Sequence, residues 1–328
     1  MASLWILAIL LYTCICRIQA EDGTIRFLVL GDWGGKPKKP YYTKSEDDIA
    51  EQMGKVASGI NANFTIVVGD NFYEDGVTDV DDPRFKETFE DVFTAKSLQS
   101  RWYAVAGNHD YHGNVSAQVA YTEKSTRWYM PNYYYTETFS IPGTDAEIQF
   151  VFIDTIILCG PTDPIKRWLP PSGPASLNAA EDQWEWIEKT LSTSAAEWLF
   201  VVGHYPVWSI GRHGPTEGLK DRLRPMLIKY NVSAYFCGHD HDMQHIHEDN
   251  STVEYFLSGA GHETEDSDDN KANIPPNALK FYYGKKDKDQ EHGAFAWLSV
   301  SPTVMNVTFM SRKGHNLYSY SASSTRKV

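Results

Sequence analysis

Cysteine is scarce in this chain of 328 residues, with four in all. Two of them, Cys14 and Cys16, fall in an N-terminal apolar stretch that reads as a removable leader. That leaves Cys159 and Cys237, enough for one bond and too few for a disulfide framework. Basic charge is also short. Lys and Arg number 30 against 43 Asp and Glu, a net charge of −13. Such a surface repels polyphosphate backbones, so nucleic acid is not expected as a partner. Long hydrophobic runs are missing too. LWILAILLYTCI, residues 4–15, has the length of a signal h-region and is too short to span a bilayer comfortably. Arg17 stops it and Ala20 precedes the polar Glu21, so cleavage is expected after residue 20 and no membrane anchor is expected. Neither internal repeat nor low-complexity linker interrupts the remainder, and residues 21–328 are expected to form one domain.

With 42% apolar residues the chain can build a packed core. If it is secreted, five Asn-x-Ser/Thr sequons, at Asn63, Asn114, Asn231, Asn250 and Asn306, become candidate N-glycan sites. One pattern recurs along the sequence: an apolar run, then glycine, then a residue of metal-binding type. It appears in IRFLVLGDWGG (25–35), FTIVVGDNFY (64–73), WYAVAGNHDYHG (102–113), WLFVVGHYP (198–206) and AYFCGHDHDMQH (234–245). IQFVFIDT (148–155) is a further buried-type strand, and helical patterns cover 47–60, 181–191 and 219–230. Buried strands alternating with helices predict an α/β fold. In such sheets ligands bind beyond the carboxyl ends of the strands, so the polar clusters are expected to converge there. Singly each cluster is an ordinary turn; together they are hard to assemble by accident.

The order Asp32-x-Gly34, Gly69-Asp70-x-x-Tyr73, Gly107-Asn108-His109-Asp110, Val201-x-x-His204, Gly238-His239-x-His241 resembles the signature of the purple acid phosphatases, in the metallophosphoesterase superfamily. HYPVWSI (204–210), HGPTE (213–217), CGHDH (237–241) and LSGAG (257–261) extend the resemblance over essentially the whole mature chain. It implies two central mixed β-sheets flanked by helices on both outer faces, and a secreted or lysosomal monomer. It also implies Fe(III) on Asp32, Tyr73 and His241, a divalent Fe(II) or Zn(II) on Asn108, His204 and His239, and Asp70 as the bridge. The residue types agree. Carboxylates and a phenol suit a hard trivalent cation, whereas imidazoles and an amide suit a divalent one. A phenol with an ordinary pKa of about 10 ionises in acid only against a strong Lewis acid. The implied activity is hydrolysis of phosphate monoesters by metal-bound hydroxide, with His109 and His213 as outer-sphere catalytic groups. Phosphoproteins, nucleotides and small phosphates all remain open as substrates.

His112, His245, His247, His262, His292 and His315 are read as structural, and ETEDSDD (263–269) as a solvated loop. In mammalian relatives a cysteine just after HGPTE pairs with the equivalent of Cys159; here Gly218-Leu219 stand there, so Cys159 lacks that partner. The proline-rich segment 159–178 carries Lys166 and Arg167, and in related enzymes the corresponding loop restrains activity until it is cut. Two other readings stay open. One is a protein phosphatase or phosphodiesterase of another subclass, although those show Asp-x-His in the first block where this chain has Asp32-Trp33-Gly34. The other is an iron-carrying glycoprotein, which would be coloured but inactive.

Overall fold

The apolar runs form the inner strands of two seven-stranded sheets. The computed structural model describes residues 23–163, 169–284 and 292–326. The leader expected at 1–20 and the Lys166-Arg167 pair lie outside the described residues. The first sheet begins with four parallel strands: β1 (Ile25–Leu30), β2 (Phe64–Val67), β3 (Trp102–Ala104) and β4 (Trp128–Tyr129). The chain then builds the second sheet from β5 (Tyr135–Ser140), β6 (Glu147–Phe152), β7 (Trp198–Val202), β8 (Ala234–Cys237), β9 (Met243–His247), β10 (Glu254–Ser258) and β11 (Leu279–Tyr283). Here β6, β7, β8 and β10 are parallel, while β5, β9 and β11 run against their neighbours. The chain finally returns to the first sheet as β12 (Ala294–Val300), β13 (Val304–Ser311) and β14 (Asn316–Ser323), with β12 antiparallel to β1. The orders are β14-β13-β12-β1-β2-β3-β4 and β11-β9-β10-β8-β7-β6-β5.

Strand residues point alternately to opposite faces, and in the central strands both faces are buried. One face of each sheet meets the other sheet. Phe27 packs edge-on against Phe150 at 5.3 Å and against Phe236 at 6.4 Å between ring centroids, joining β1 to the second sheet. The outer faces are covered by helices. Ile49 and Met53 of α1 (Lys44–Ile60) pack with Leu28 and Leu30. Trp184, Ile187 and Leu191 of α4 (Leu177–Thr193) pack with Val201, as do α3 (Thr155–Cys159) and α5 (Arg224–Lys229). A short α2 (Val115–Tyr121) follows β3. The helix expected at 47–60 begins earlier, because Thr43 and Glu46 form a reciprocal capping box. The one expected at 219–230 is interrupted: Leu219–Leu223 is a wide π-type turn before α5. Pro225 explains this, since its ring would clash with the carbonyl of the preceding turn and it has no N–H to offer. Among the described residues no helix is long and apolar enough to cross a membrane. Asn63, Asn114, Asn231 and Asn250 are exposed, whereas Asn306 is half-buried on β13.

Cys159 and Cys237 are both buried free thiols, so no bond joins them. Burial pushes the Cys159 thiol up to about 12. A β-carbon built on Gly218 would lie 3.0 Å from Cys159 Sγ, the separation of a β-carbon from the far sulfur of a disulfide. Gly218 has helical φ −60° and ψ −35°, which any residue adopts. Gly218→Cys is therefore expected to form a bond with Cys159 without backbone movement and to stabilise the chain by about 2–4 kcal/mol. Thiol titration and the melting temperature with and without reductant check this; two free thiols at these positions under oxidising conditions would contradict it.

Candidate metal centre

β1, β2, β3, β7 and β8 end at one edge of the sandwich, and each hands its next residues to the same space. The loops after β1 and β2 hold one another: Asp32 N donates to Gly69 O at 3.0 Å and Tyr73 N to Gly34 O at 2.9 Å. Asp32, Asp70 and His239 all have left-handed backbone, with φ of 55°, 50° and 76°. Such residues cost on the order of 1–3 kcal/mol each and persist only where their surroundings over-determine them. The surroundings do so here. His239 N donates to the Asp32 carboxylate at 2.9 Å, and His109 N to Asp70 Oδ1 at 2.9 Å. Two glycines at these strand ends are required sterically. A β-carbon on Gly107 would overlap the Asp70 carboxylate, and one on Gly238 would overlap that of Asp32.

All nine residues singled out from the sequence converge. Tyr73 Oη lies 3.2 Å from Asp32 Oδ1, 3.3 Å from Asp70 Oδ2 and 3.0 Å from His241 Nε2. His204 donates from Nδ1 to Val68 O at 2.9 Å, which in the neutral ring leaves its Nε2 lone pair facing Asn108 Oδ1 at 3.0 Å and Asp70 Oδ1 at 3.4 Å. Donor atoms of Asp70, His204 and His239 lie within 4.8 Å of one another. His109 fixes its Nδ1 on Glu74 O at 2.7 Å and its Nε2 is 4.0 Å from Asp70 Oδ2. The His213 ring lies tilted against that of His239 with centroids 4.0 Å apart, and its buried Nδ1 has no hydrogen-bond partner among the described residues. Asp70, Tyr73, Asn108, His109, His213, His239 and His241 line one cavity of about 170 Å³.

The electrostatics ask for cations. Burial pushes Asp32 up to about 7, with His204 opposing and Asp70 adding to the shift. Burial would raise Asp70 as well, but His204 and His109 hold it well below the usual carboxylate range. The Tyr73 phenol is driven well above its ordinary value by burial and by Asp32 and Asp70. Burial opposes charge on His204, yet Asp70 lifts it to about 9; burial likewise opposes charge on His241, which Glu263 and Asp32 lift to about 9. Burial and the neighbouring imidazoles push His239 well below its ordinary value. The ion-pair partners of Asp32 and Asp70 among the described residues are the imidazoles of His109, His204 and His241. Converging carboxylate, phenol, amide and imidazole donors with no lysine or arginine among them fit a pair of metal cations.

Several contributors were not singled out from the sequence. Asp110, fully buried, accepts from Gly107 N at 2.8 Å, Asn71 N at 3.1 Å and Phe72 N at 3.2 Å, tying the loops after β2 and β3. Its place inside the Asn-His-Asp block was the available signal. Arg84 donates to Tyr73 O and, at 2.5 Å, to Gly34 O, bracing the loops that carry Tyr73 and Asp32. Nothing local in the sequence marks Arg84. Thr162 accepts from Asn108 Nδ2 at 3.0 Å, so the foot of the proline-rich segment orients that amide. His262 and the acidic residues Glu263 and Glu265 line the cavity, so neither is a remote surface feature.

Known proteins resemble this chain over most of its length. A family profile described as calcineurin-like phosphoesterase matches residues 25–243. Tartrate-resistant acid phosphatase type 5 of Oryctolagus cuniculus is 43% identical over 317 residues, covering 96% of each chain. Purple acid phosphatase 17 of Arabidopsis thaliana is 34% identical over 275 residues, covering 80% of this chain and 76% of that one. The chain belongs to the purple acid phosphatases. The likeness of this purple acid phosphatase to solved structures includes GAP50, described as the anchor in the inner membrane complex of Plasmodium. That chain superposes with a TM-score of 0.78 at 25% identity, covering 93% of this chain and 90% of its own.

The shifts set a pH dependence for the metal-free protein. His204 and His241 are raised from 6.5 to about 9, so their contribution is fully present below pH 6.5 and is lost as pH climbs through 9. Asp32, raised to about 7, acts in the same direction, because the folded state holds its proton more tightly than the unfolded one. The melting temperature of chelator-treated protein is expected to fall between about pH 6.5 and 9, and added metal to reverse the slope, since bound imidazoles must be deprotonated. Thermal melts across that range check it; a rising slope without metal would contradict the assignment.

Proposed function

We infer that this purple acid phosphatase hydrolyses phosphate monoesters at a centre of Fe(III) held by Asp32, Tyr73 and His241 and divalent iron or zinc held by Asn108, His204 and His239, with Asp70 shared. The observation that carries the reading is the phenol of Tyr73, 3.0–3.3 Å from His241, Asp32 and Asp70 in a cavity that His109 and His213 also line. Two cations held there would supply a clamp for the phosphate and charge to stabilise the entering and leaving oxygens of an in-line displacement. The chain does the rest. His109, steadied through Nδ1 by Glu74 O, turns Nε2 toward the cavity to hold a phosphate oxygen. His213 lines the same cavity and protonates the leaving alkoxide. Asp240 accepts from His213 N at 2.8 Å and keeps that loop in position.

A metal carrier would need the donors but not His109 and His213 beside them. GAP50 shows that an anchor can share this fold, so activity is argued from the site. The apolar stretch at residues 4–15 supports passage through the secretory pathway to a lysosomal or extracellular location.

The purified protein is expected to contain iron, to show a visible tyrosinate-to-iron band and to cleave p-nitrophenyl phosphate. Tyr73→Phe should bleach the band; a coloured Tyr73→Phe protein with the parent spectrum would sink the metal assignment. His109→Ala and His213→Ala should each lower kcat roughly 10²-fold or more while leaving the band in place.

A further inference from the structure

The acidic run at 263–269 is built into the mouth of the cavity. Gly261 N donates to Gly31 O at 3.0 Å, Glu265 N to His241 O at 2.7 Å and Asn270 N to Ile210 O at 3.1 Å. Thr264 accepts from Gly293 N at 2.9 Å, and Asn270 Nδ2 donates to Gly211 O at 2.7 Å. These bonds fix Glu263 and Glu265 beside the metal donors, where with Glu74 they line the cavity. The three side chains are 56%, 33% and 42% exposed, so they face both cavity and solvent. Glu263 and Glu74 lie 3.6 Å from Nδ1 of His241 and His109, respectively, and Arg212, the only lysine or arginine in that lining among the described residues, pairs with Glu265 at 3.3 Å. The rim therefore carries an excess of negative charge around a site that binds an anion.

A cavity of about 170 Å³ takes the phosphoryl group and little more, so the leaving group crosses this rim. We propose that the rim of Glu74, Glu263 and Glu265 selects phosphate monoesters whose leaving group carries positive charge, such as phosphoserine flanked by lysine or arginine, over those bearing further anions, such as nucleotides. The proposal rests on the phosphatase reading above and narrows its substrate class. The metal donors and histidines attract the phosphate whatever it is attached to, so discrimination falls to the charges that the attached group meets. Unit charges several ångströms apart at a hydrated surface change a rate a few-fold, and two or three such contacts reach roughly tenfold. Because the rim is exposed, salt should screen the effect.

The test uses the full metal-loaded protein near pH 6, above the ordinary carboxylate range. Its substrates are two phosphoserine peptides that differ only in lysine or glutamate beside the phosphoserine, with p-nitrophenyl phosphate as a neutral reference. The expected kcat/KM is about tenfold higher for the lysine peptide at low salt, shrinking toward equality in about 0.5 M salt. Glu263→Gln with Glu265→Gln should move the ratio toward one; because the ratio is taken within one protein, any change in absolute rate cancels. Equal kcat/KM for the two peptides in the parent protein, with p-nitrophenyl phosphate turned over, overturns the proposal and leaves the phosphatase reading intact. A ratio untouched by salt or by the double substitution also overturns it. Failure to cleave all three substrates removes the phosphatase reading and this proposal with it.

Discussion

Asp32 and Asp70 leave adjacent parallel strands and are buried beside each other, Asp32 fully and Asp70 at 1% exposure. Two carboxylates in such a place cannot both remain ionised without a compensating charge, and the raised Asp32 and the depressed Asp70 express that conflict. Imidazoles answer it in part. The backbone answers it too, with the N–H groups of His109 and His239 aimed at the two carboxylates. The remaining demand is for cations, and Tyr73 sharpens it by adding a third oxygen that becomes a good donor only when its proton is displaced.

That arrangement accounts for the unusual local backbone. Left-handed Asp32, Asp70 and His239 turn their side chains inward directly after the strands, and Gly107 and Gly238 leave room for the carboxylates of Asp70 and Asp32. Asp110 and Arg84 hold the loops in register from behind. The double sheet supplies a rigid base: aromatic packing between the sheets keeps the ends of β1, β2, β7 and β8 together, although β1 and β8 belong to different sheets and lie far apart in the chain.

A rigid base leaves variation to the loops. GAP50 has the same architecture and a role described as an anchor, so this fold alone decides little about activity. In this chain the 261–270 loop brings carboxylates to the mouth of an anion-binding cavity, and Thr162, after α3, meets the Asn108 amide. Both loops touch the site by contacts that are remote in sequence.

The α/β character, the inner strands and the convergence of polar clusters were legible in the sequence, because a buried strand ending in glycine and a metal-type side chain is a local pattern repeated five times; the choice of nine residues within and beside those clusters, His213 among them, came from the family resemblance. The two-sheet arrangement came from the family resemblance; periodicity alone does not say which strands pair. The break at Leu219–Leu223 was written in Pro225 but overlooked in a helical pattern. The contributions of Arg84, Thr162 and the glutamates at 263 and 265 were not legible. Each acts on residues 11 to 54 positions or more away, or through a loop folded back onto His241. Sequence by itself determined which residues have the chemistry to hold metal and which strands deliver them. Tertiary structure alone decided that an acidic stretch faces the cavity and not open solvent, because that depends on backbone hydrogen bonds between distant loops, and no local pattern encodes those.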